Sequence, residues 1–371
     1  MQTDVTETPE ESLAEARRTI TICNACRYCE GLCATFQSMS LQRAFSNGDL
    51  NYLANLCHNC TACFHGCQYA PPHEFNVNVP RALASLRLES YKEFAWPGFM
   101  ARLFERNGLV MSLVTAFSLA FVLSLTIVWN EPSALLAVYD KPGAFYQVIS
   151  HNMMIAVAGG TFGFSVLAIA MGVRRFYRDT CRVPGRTVSI KAFLAAARDA
   201  ATLKYLKGGH GEGCNSTVDN FSNLRAVFHH FTMWGFLLCF AATCAATVYD
   251  YFMGIPAPYA YSSVPVVLGS LGGIGLLIGP VGLFVLKIRS DPRPANITQF
   301  GMDYAFIVLL FLISLTGILL LVLRETSAMA LILIVHLGFV LALFVTLPYS
   351  KFVHSVYRVA SLLRFEVEKA E

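Results

Sequence analysis

The sequence predicts an all-α chain in two parts: a polar, helical N-terminal domain, then a six-helix bundle that crosses a membrane. Three observations carry this. The 371 residues are 55% hydrophobic and only 14% charged, with a mean hydropathy of +0.51, too apolar for a pair of soluble domains. Six windows near the ~20 apolar residues that a bilayer requires lie beyond residue 108. No stretch of the N-terminal part shows the period-two alternation of a half-buried strand.

Residues 1–19 read as a flexible acidic tail (Glu7, Glu10, Glu11, Glu15) without the apolar core of a secretory signal. Residues 20–95 contain two cysteine runs, Cys23-Asn-Ala-Cys26-Arg-Tyr-Cys29-Glu-Gly-Leu-Cys33 and Cys57-His-Asn-Cys60-Thr-Ala-Cys63-Phe-His-Gly-Cys67. Both read C-x2-C-x2-C-x3-C, and together they hold eight of the twelve cysteines. Three thiolates so spaced on one tight loop reach neighbouring corners of an iron–sulfur cube, and in the bacterial two-cluster pattern the fourth cysteine crosses to the other cluster. The reading is two [4Fe–4S] clusters, one on Cys23, Cys26, Cys29 and Cys67, the other on Cys57, Cys60, Cys63 and Cys33. Structural zinc sites use cysteine pairs separated by a long gap, and disulfides within so crowded a run are geometrically awkward. The usual run ends in Cys-Pro. Here Ala34 and Gln68 follow instead, which makes the crossing of the fourth cysteine less secure.

Between the runs, Asp49–Leu56 reads as a short helix delivering Cys57, with Asn47 or Asp49 as its cap. Pro80–Phe94 reads as an amphipathic helix bearing Arg81, Arg87 and Lys92. The domain is therefore predicted to be an α-helical two-cluster, ferredoxin-like unit. Residues 96–108 mix aromatics with arginines and suit an interfacial linker.

The membrane domain spans 109–350, with crossings near 109–129, 144–173, 226–249, 264–286, 303–323 and 328–350. The fourth is rich in glycine (Gly269, Gly272, Gly273, Gly275, Gly279, Gly282) and broken by Pro280, a composition that permits close helix packing. The 174–225 loop and the 351–371 tail are basic, whereas the opposite loops hold little beyond Lys141 and Arg324. By the positive-inside rule both termini and the cysteine domain face the cytoplasm. The formal net charge of +4 follows from that topology, and no nucleic-acid binding is read from it.

Ionisable groups in a bilayer are functional candidates, and His151, His229, His230, His336 and His354 lie in or beside the spans. Paired histidines on facing helices ligate haem iron from both sides. On one continuous last helix, His336 and His354 are five turns apart, in phase, and roughly 27 Å apart along the axis. His151 then faces His336 at the outer level, and His229 or His230 faces His354 at the inner level. Neighbours on a helix diverge by about 100°, so only one of that pair points inward. One or two haems b are expected. The Gly208–Cys214 segment reads as a structured turn lacking the setting of a phosphate loop, and no nucleophilic triad or dinucleotide fingerprint is found.

On the runs Ile22–Cys33 and Cys57–Pro72, the Gly208–Cys214 loop and His229-His230-Phe231, the chain resembles the tricarballylate/citrate utilization protein B family. The cysteine half is also similar to the iron–sulfur parts of heterodisulfide reductase and succinate dehydrogenase. The His336/His354 spacing is similar to that of the haem-binding subunit of nitrate reductase. The resemblance implies a multi-pass protein of the bacterial inner membrane that reoxidises a cytoplasmic FAD-containing dehydrogenase of tricarballylate or citrate type and delivers the electrons to quinone. Two alternatives stay open: a redox partner of an oxygen-using, cobalamin-type biosynthetic flavoenzyme, or a membrane anchor or redox sensor without turnover.

Overall fold

The computed structural model describes residues 8–131, 135–139, 141–183, 185–208, 213–215 and 220–369. Among them there are helices and turns but no strand, only an isolated bridge between Cys214 and Ser222. His210, with Gly209, Gly211 and Glu212 of the glycine cluster, lies outside the described residues.

Helix α1 (Pro9–Cys26) begins inside the segment read as a loose tail. Thr8 and Glu11 form a reciprocal capping box, and Pro9 occupies the first turn, a start signal strong enough to order this acidic stretch. Helix α2 (Ala34–Ser40) follows, with Cys33 at its N-cap. Helix α3 (Asn47–Leu56) delivers Cys57 as predicted, but its cap is Ser46, with Asp49 completing the box three residues on. Helices α4 (Ala62–His65) and α5 (Val79–Phe94) complete the cysteine domain.

Among the described residues six helices are long and apolar enough to cross a membrane. They are α6 (Asn107–Trp129), α8 (His151–Cys181), α10 (Leu224–Met253), α11 (Val264–Ile288), α12 (Phe300–Leu323) and α13 (Met329–Thr346). A short α7 (Ala144–Val148) precedes α8, so the second span starts at His151 rather than at the predicted 144. Helix α8 contains π-helical turns at Ile155–Gly159 and Tyr177–Cys181. The glycine stripe of α11 does bring two backbones together. A Cβ on Gly279 would lie 2.6 Å from the Thr232 nitrogen of α10, and one on Gly272 2.8 Å from the Gly235 carbonyl oxygen.

The last span differs from the predicted single helix. Helix α13 ends at Thr346, Leu347–Tyr349 form a 3-10 turn around Pro348, and a new helix, α14 (Val353–Lys369), begins just before His354. Proline removes a backbone donor and crowds the preceding turn, so His336 and His354 share no helical phase. Nor is α14 a tail. Its Leu362 and Phe365 enter the core of the cysteine domain with Leu50, Leu53, Tyr205 and Ala196 of α9 (Ile190–Ala201). Arg364 pairs with Asp49 at 2.6 Å and Glu368 at 2.7 Å.

The two domains are bolted together where α5, α8 and α14 meet. Tyr91, Phe94, Phe176 and Tyr357 stack there in one buried cluster. Beside it, Asp303 bridges Lys287 at 2.7 Å and Lys351 at 2.8 Å, fixing the start of α12 to α11 and to the α13–α14 junction. Asp303→Asn would leave two poorly hydrated ammonium groups without a counter-charge, at a cost of about 3 kcal/mol. The expected result is a lower thermal unfolding midpoint in detergent, and an unchanged midpoint would show that solvent reaches this network.

Candidate metal centres

The cysteines gather where helix ends and reversed loops put them. Cys23 and Cys26 occupy the last turn of α1, which stops because Arg27 adopts a left-handed conformation (φ 54°). Asn59 and Thr61, between the thiols of the second run, are also left-handed (φ 54° and 63°). Such residues cost of order 1–3 kcal/mol each and concentrate at functional sites. Here they turn the chain so that successive thiols face one side.

Two cavities result. The first, about 210 Å³, is lined by Cys23, Cys26, Cys29 and Cys67, with Tyr28, Tyr69 and Phe36 around them. The second is narrow, about 20 Å³, and is lined by Cys33, Cys57, Cys60 and Cys63 beside His58 and Tyr205. Cys63 touches both cavities. Cys67 thus sits with the first run and Cys33 with the second, the crossed arrangement. Burial and neighbouring thiols push Cys23 and Cys29 up to about 12, and Cys33, crowded mainly by burial and then by Cys57, up to about 11. A bound metal relieves that crowding by displacing the thiol protons. Among the described residues no three His, Cys, Asp or Glu side chains converge on a single-ion site. A four-iron cube binds each thiolate to a different iron, so it asks for no such convergence.

The two centres differ in surroundings. Cys26 is exposed and Tyr28 at the first rim is 78% exposed. Cys57 is buried. The second loop is covered by residues 213–215: Asn215 N–H donates to the Cys60 carbonyl at 3.1 Å, and the Thr61 hydroxyl donates to the Asn215 carbonyl at 2.8 Å. Cys214, 1% exposed, donates to the Leu206 carbonyl at 3.1 Å. The role of this loop was not legible in the sequence.

Three arginines also grip the second loop, and sequence reasoning missed their role. Arg87 of α5 donates to the Ala54 and Cys57 carbonyls, both at 2.7 Å. Arg358 of α14 donates to the Cys57 carbonyl at 2.8 Å, and Arg225 of α10 to the Asn59 carbonyl at 2.6 Å. The signal that was available is a shared spacing. Arg225 precedes His229 by four residues, and Arg358 follows His354 by four. In a helix that offset is one turn on one face, about 6 Å. Two helices therefore each aim an arginine at the cysteine loop and a histidine one turn away.

Those histidines meet. The rings of His229 and His354 stand 6.1 Å apart at 76°. His354 Nδ1 bonds the Lys351 carbonyl. A carbonyl only accepts, so Nδ1 carries the proton and Nε2 is bare. Burial, then Arg358 and Lys351, hold His354 well below the ordinary imidazole range, which keeps it neutral. The buried Nδ1 of His229 makes no hydrogen bond. Imidazoles sharing one metal from opposite sides keep their nitrogens roughly 4 Å apart, from metal–nitrogen bonds of about 2.0–2.1 Å, and so their ring centres about 6 Å apart. By that separation His229 and His354 would be the residues to hold a metal between them. His230 points elsewhere, toward the Thr202 backbone and Lys207; of the two neighbours, His229 is the one whose ring faces His354.

At the far end of the bundle, His336 Nδ1 lies 3.1 Å from the Ile313 carbonyl and from Thr316 Oγ1, again leaving Nε2 bare. His151 Nε2 is 2.6 Å from Asp250, whose other oxygen accepts from the Tyr146 hydroxyl at 3.0 Å. Phe162 packs on both Phe240 and Phe344, which sets those three at one depth. His151 and His336 are eleven and eight residues beyond that plane on one side, roughly 12–17 Å. His229 and His354 lie on the other. The predicted levels thus agree in depth, although among the described residues no contact joins His151 to His336.

Comparison with known proteins gives concordant results. The family model described as "Citrate utilization protein B" matches residues 102–371, and the one described as "Citrate utilization protein B Fer4-like domain" matches residues 16–93. The chain is similar to Citrate utilization protein B of Escherichia coli, with 49% identity over 359 residues, covering 97% of this chain and 93% of that protein. No solved structure matches.

Proposed function

This chain belongs to the citrate utilization protein B family, and from that membership we propose that it carries electrons from a reduced cytoplasmic flavoprotein dehydrogenase of citrate or tricarballylate type into the bacterial inner membrane. The route starts at the four thiols of the solvent-open cavity, passes the buried second site, continues to the His229/His354 pair, then to His151 and His336, and ends on quinone. Both termini face the cytoplasm in this reading.

One observation carries it. The helices that present His229 and His354 to each other also hold the second cysteine loop through Arg225 and Arg358. A protein that only needed an anchor has no use for that junction. When bound, two [4Fe–4S] clusters and b-type haem supply one-electron carriers, which divide a two-electron flavin oxidation into single transfers. The chain's own residues do the rest. Crossed cysteines tie the two cluster sites into one rigid unit, and exposed Tyr28 leaves the entry side accessible. The Lys351 carbonyl fixes the His354 tautomer, and the aromatic cluster of Tyr91, Phe94, Phe176 and Tyr357 holds the domains in register.

The test is a dithionite-reduced minus oxidised absorption spectrum of the detergent-purified protein, with haem and iron counted per chain, followed by reoxidation with a soluble quinone. Expected are low-spin b-type haem and cluster iron, both reoxidised by quinone without oxygen. Absence of haem would overturn the transmembrane route. Reoxidation by oxygen alone would exclude quinone as the acceptor.

A further inference from the structure

We propose that Arg87, Arg225 and Arg358 form a buried cationic cradle that holds the second cluster site at a higher reduction potential than the first, and so sets the direction of electron flow toward the membrane. The proposal rests on the reading that the two cysteine sets hold clusters.

The argument starts from an imbalance of charge. Arg87 is 4% exposed, and Arg225 and Arg358 are half-buried. Among the described residues none of the three pairs with a carboxylate; they donate to backbone carbonyls within residues 54–59, and Arg225 also reaches the Cys214 thiol. Arg364 shows what this fold does with a buried guanidinium otherwise, pairing it with Asp49 and Glu368. The carbonyls at the end of α3 carry a partial negative charge near half a unit, against three full positive charges. Unpaired buried cations are costly, so the region is built for an anion that the polypeptide does not supply. Four thiolates around an iron–sulfur cube are that anion, and its negative charge grows by one on reduction.

Two effects then compete. Sealing a cluster from water disfavours the extra negative charge and lowers its potential, and the second site is the sealed one. Nearby cations favour the reduced form and raise the potential, and screening by solvent is weak in that interior. Three cations that, among the described residues, no carboxylate pairs outweigh the loss of hydration. The first site has an open rim, and among the described residues no lysine or arginine lines it. One electron leaves the first site and enters the second; no bond breaks and no proton moves.

The experiment is an EPR-monitored redox titration of the purified full-length protein, with iron counted in every sample. The second cluster's signal is identified as the one lost in Cys33→Ala. In the unaltered protein that signal appears at the higher potential. Arg358→Gln and Arg225→Gln each lower it so that the ratio of reduced to oxidised second cluster, at fixed potential, falls at least tenfold, or 59 mV for a one-electron couple. The first cluster's signal stays put. Arg358→Lys, which keeps the charge but not the forked hydrogen bonds, recovers most of the shift. If Arg358→Gln fails to assemble, half-buried Arg225→Gln carries the test with Arg225→Lys as its control. Unchanged potentials in cluster-replete variants, or equal shifts from Lys and Gln, would overturn the cradle and leave the cluster reading intact. An unaltered protein that binds no iron would sink the cluster reading itself.

Discussion

His354→Ala is expected to lower bound haem by about one equivalent per chain, while His230→Ala leaves the count unchanged. The two residues lie at the same membrane level, and the contrast comes from direction. His354 presents a bare Nε2 because its other nitrogen is committed to the Lys351 carbonyl, and its ring faces His229 at 6.1 Å. If His229 and His354 hold a haem iron between them, alanine at 354 leaves His229 to hold it alone, and an iron held by one histidine exchanges readily. His230 faces Thr202 and Lys207 on the loop between α8 and α10, so its loss should perturb docking of that loop and not the His229/His354 pair. His336→Ala should remove the other haem, with the His354-dependent one intact. Haem extracted and counted in each variant decides the matter. Loss in His230→Ala equal to that in His354→Ala would mean that the ring pair is packing and not ligation.

Removing Cys67 and Cys26 together is expected to leave one complete cluster, about four irons per chain out of about eight. Both thiols line the first cavity although they belong to different runs. The complementary pair, Cys33→Ala with Cys60→Ala, should leave the first cluster alone, since both line the second cavity. Were each run to hold its own cluster, either double variant would strip one ligand from both, and iron would fall toward zero. Iron content with the EPR signal of the survivor separates the two arrangements without any activity assay. Cys63 borders both cavities and is unsuited to this design.

Much of the architecture was legible because it rests on local chemistry. Apolar windows long enough to cross a bilayer declare themselves by composition, and five of the six observed spans start close to where hydropathy put them. The second starts later because Ile149 and Ser150 break the chain before His151, a stop with no proline or glycine to announce it. The helical character of the cysteine domain was likewise readable. Its cap is Ser46 and neither Asn47 nor Asp49, since all three are good caps and only the hydrogen bonds select among them.

What resisted sequence reading is long-range. The break at Pro348 splits the apparent last helix, yet His354 still reaches the inner level because α14 folds back under α5 and α8. The C-terminal segment looked like a basic tail and is a core helix of the cysteine domain, since Phe365 and Leu362 find their apolar partners in residues 50–56 and 196–205. Arg87 looked like one charge on an amphipathic face. Its meaning appears only when Arg225 and Arg358, from distant helices, arrive at the same loop.

The sequence by itself determined the candidate donor atoms and the character of the helices: eight cysteines in two matched runs, histidines in apolar helices, and six stretches long and apolar enough to cross a bilayer. Spacing and hydropathy are properties of neighbouring residues, so no fold is needed to read them. The tertiary structure decided the pairings. It set Cys67 with the first run and Cys33 with the second, His229 rather than His230 opposite His354, and three arginines around one loop. Those choices depend on how helix axes cross and where a proline ends one of them, and burial energy summed over the whole chain fixes that geometry.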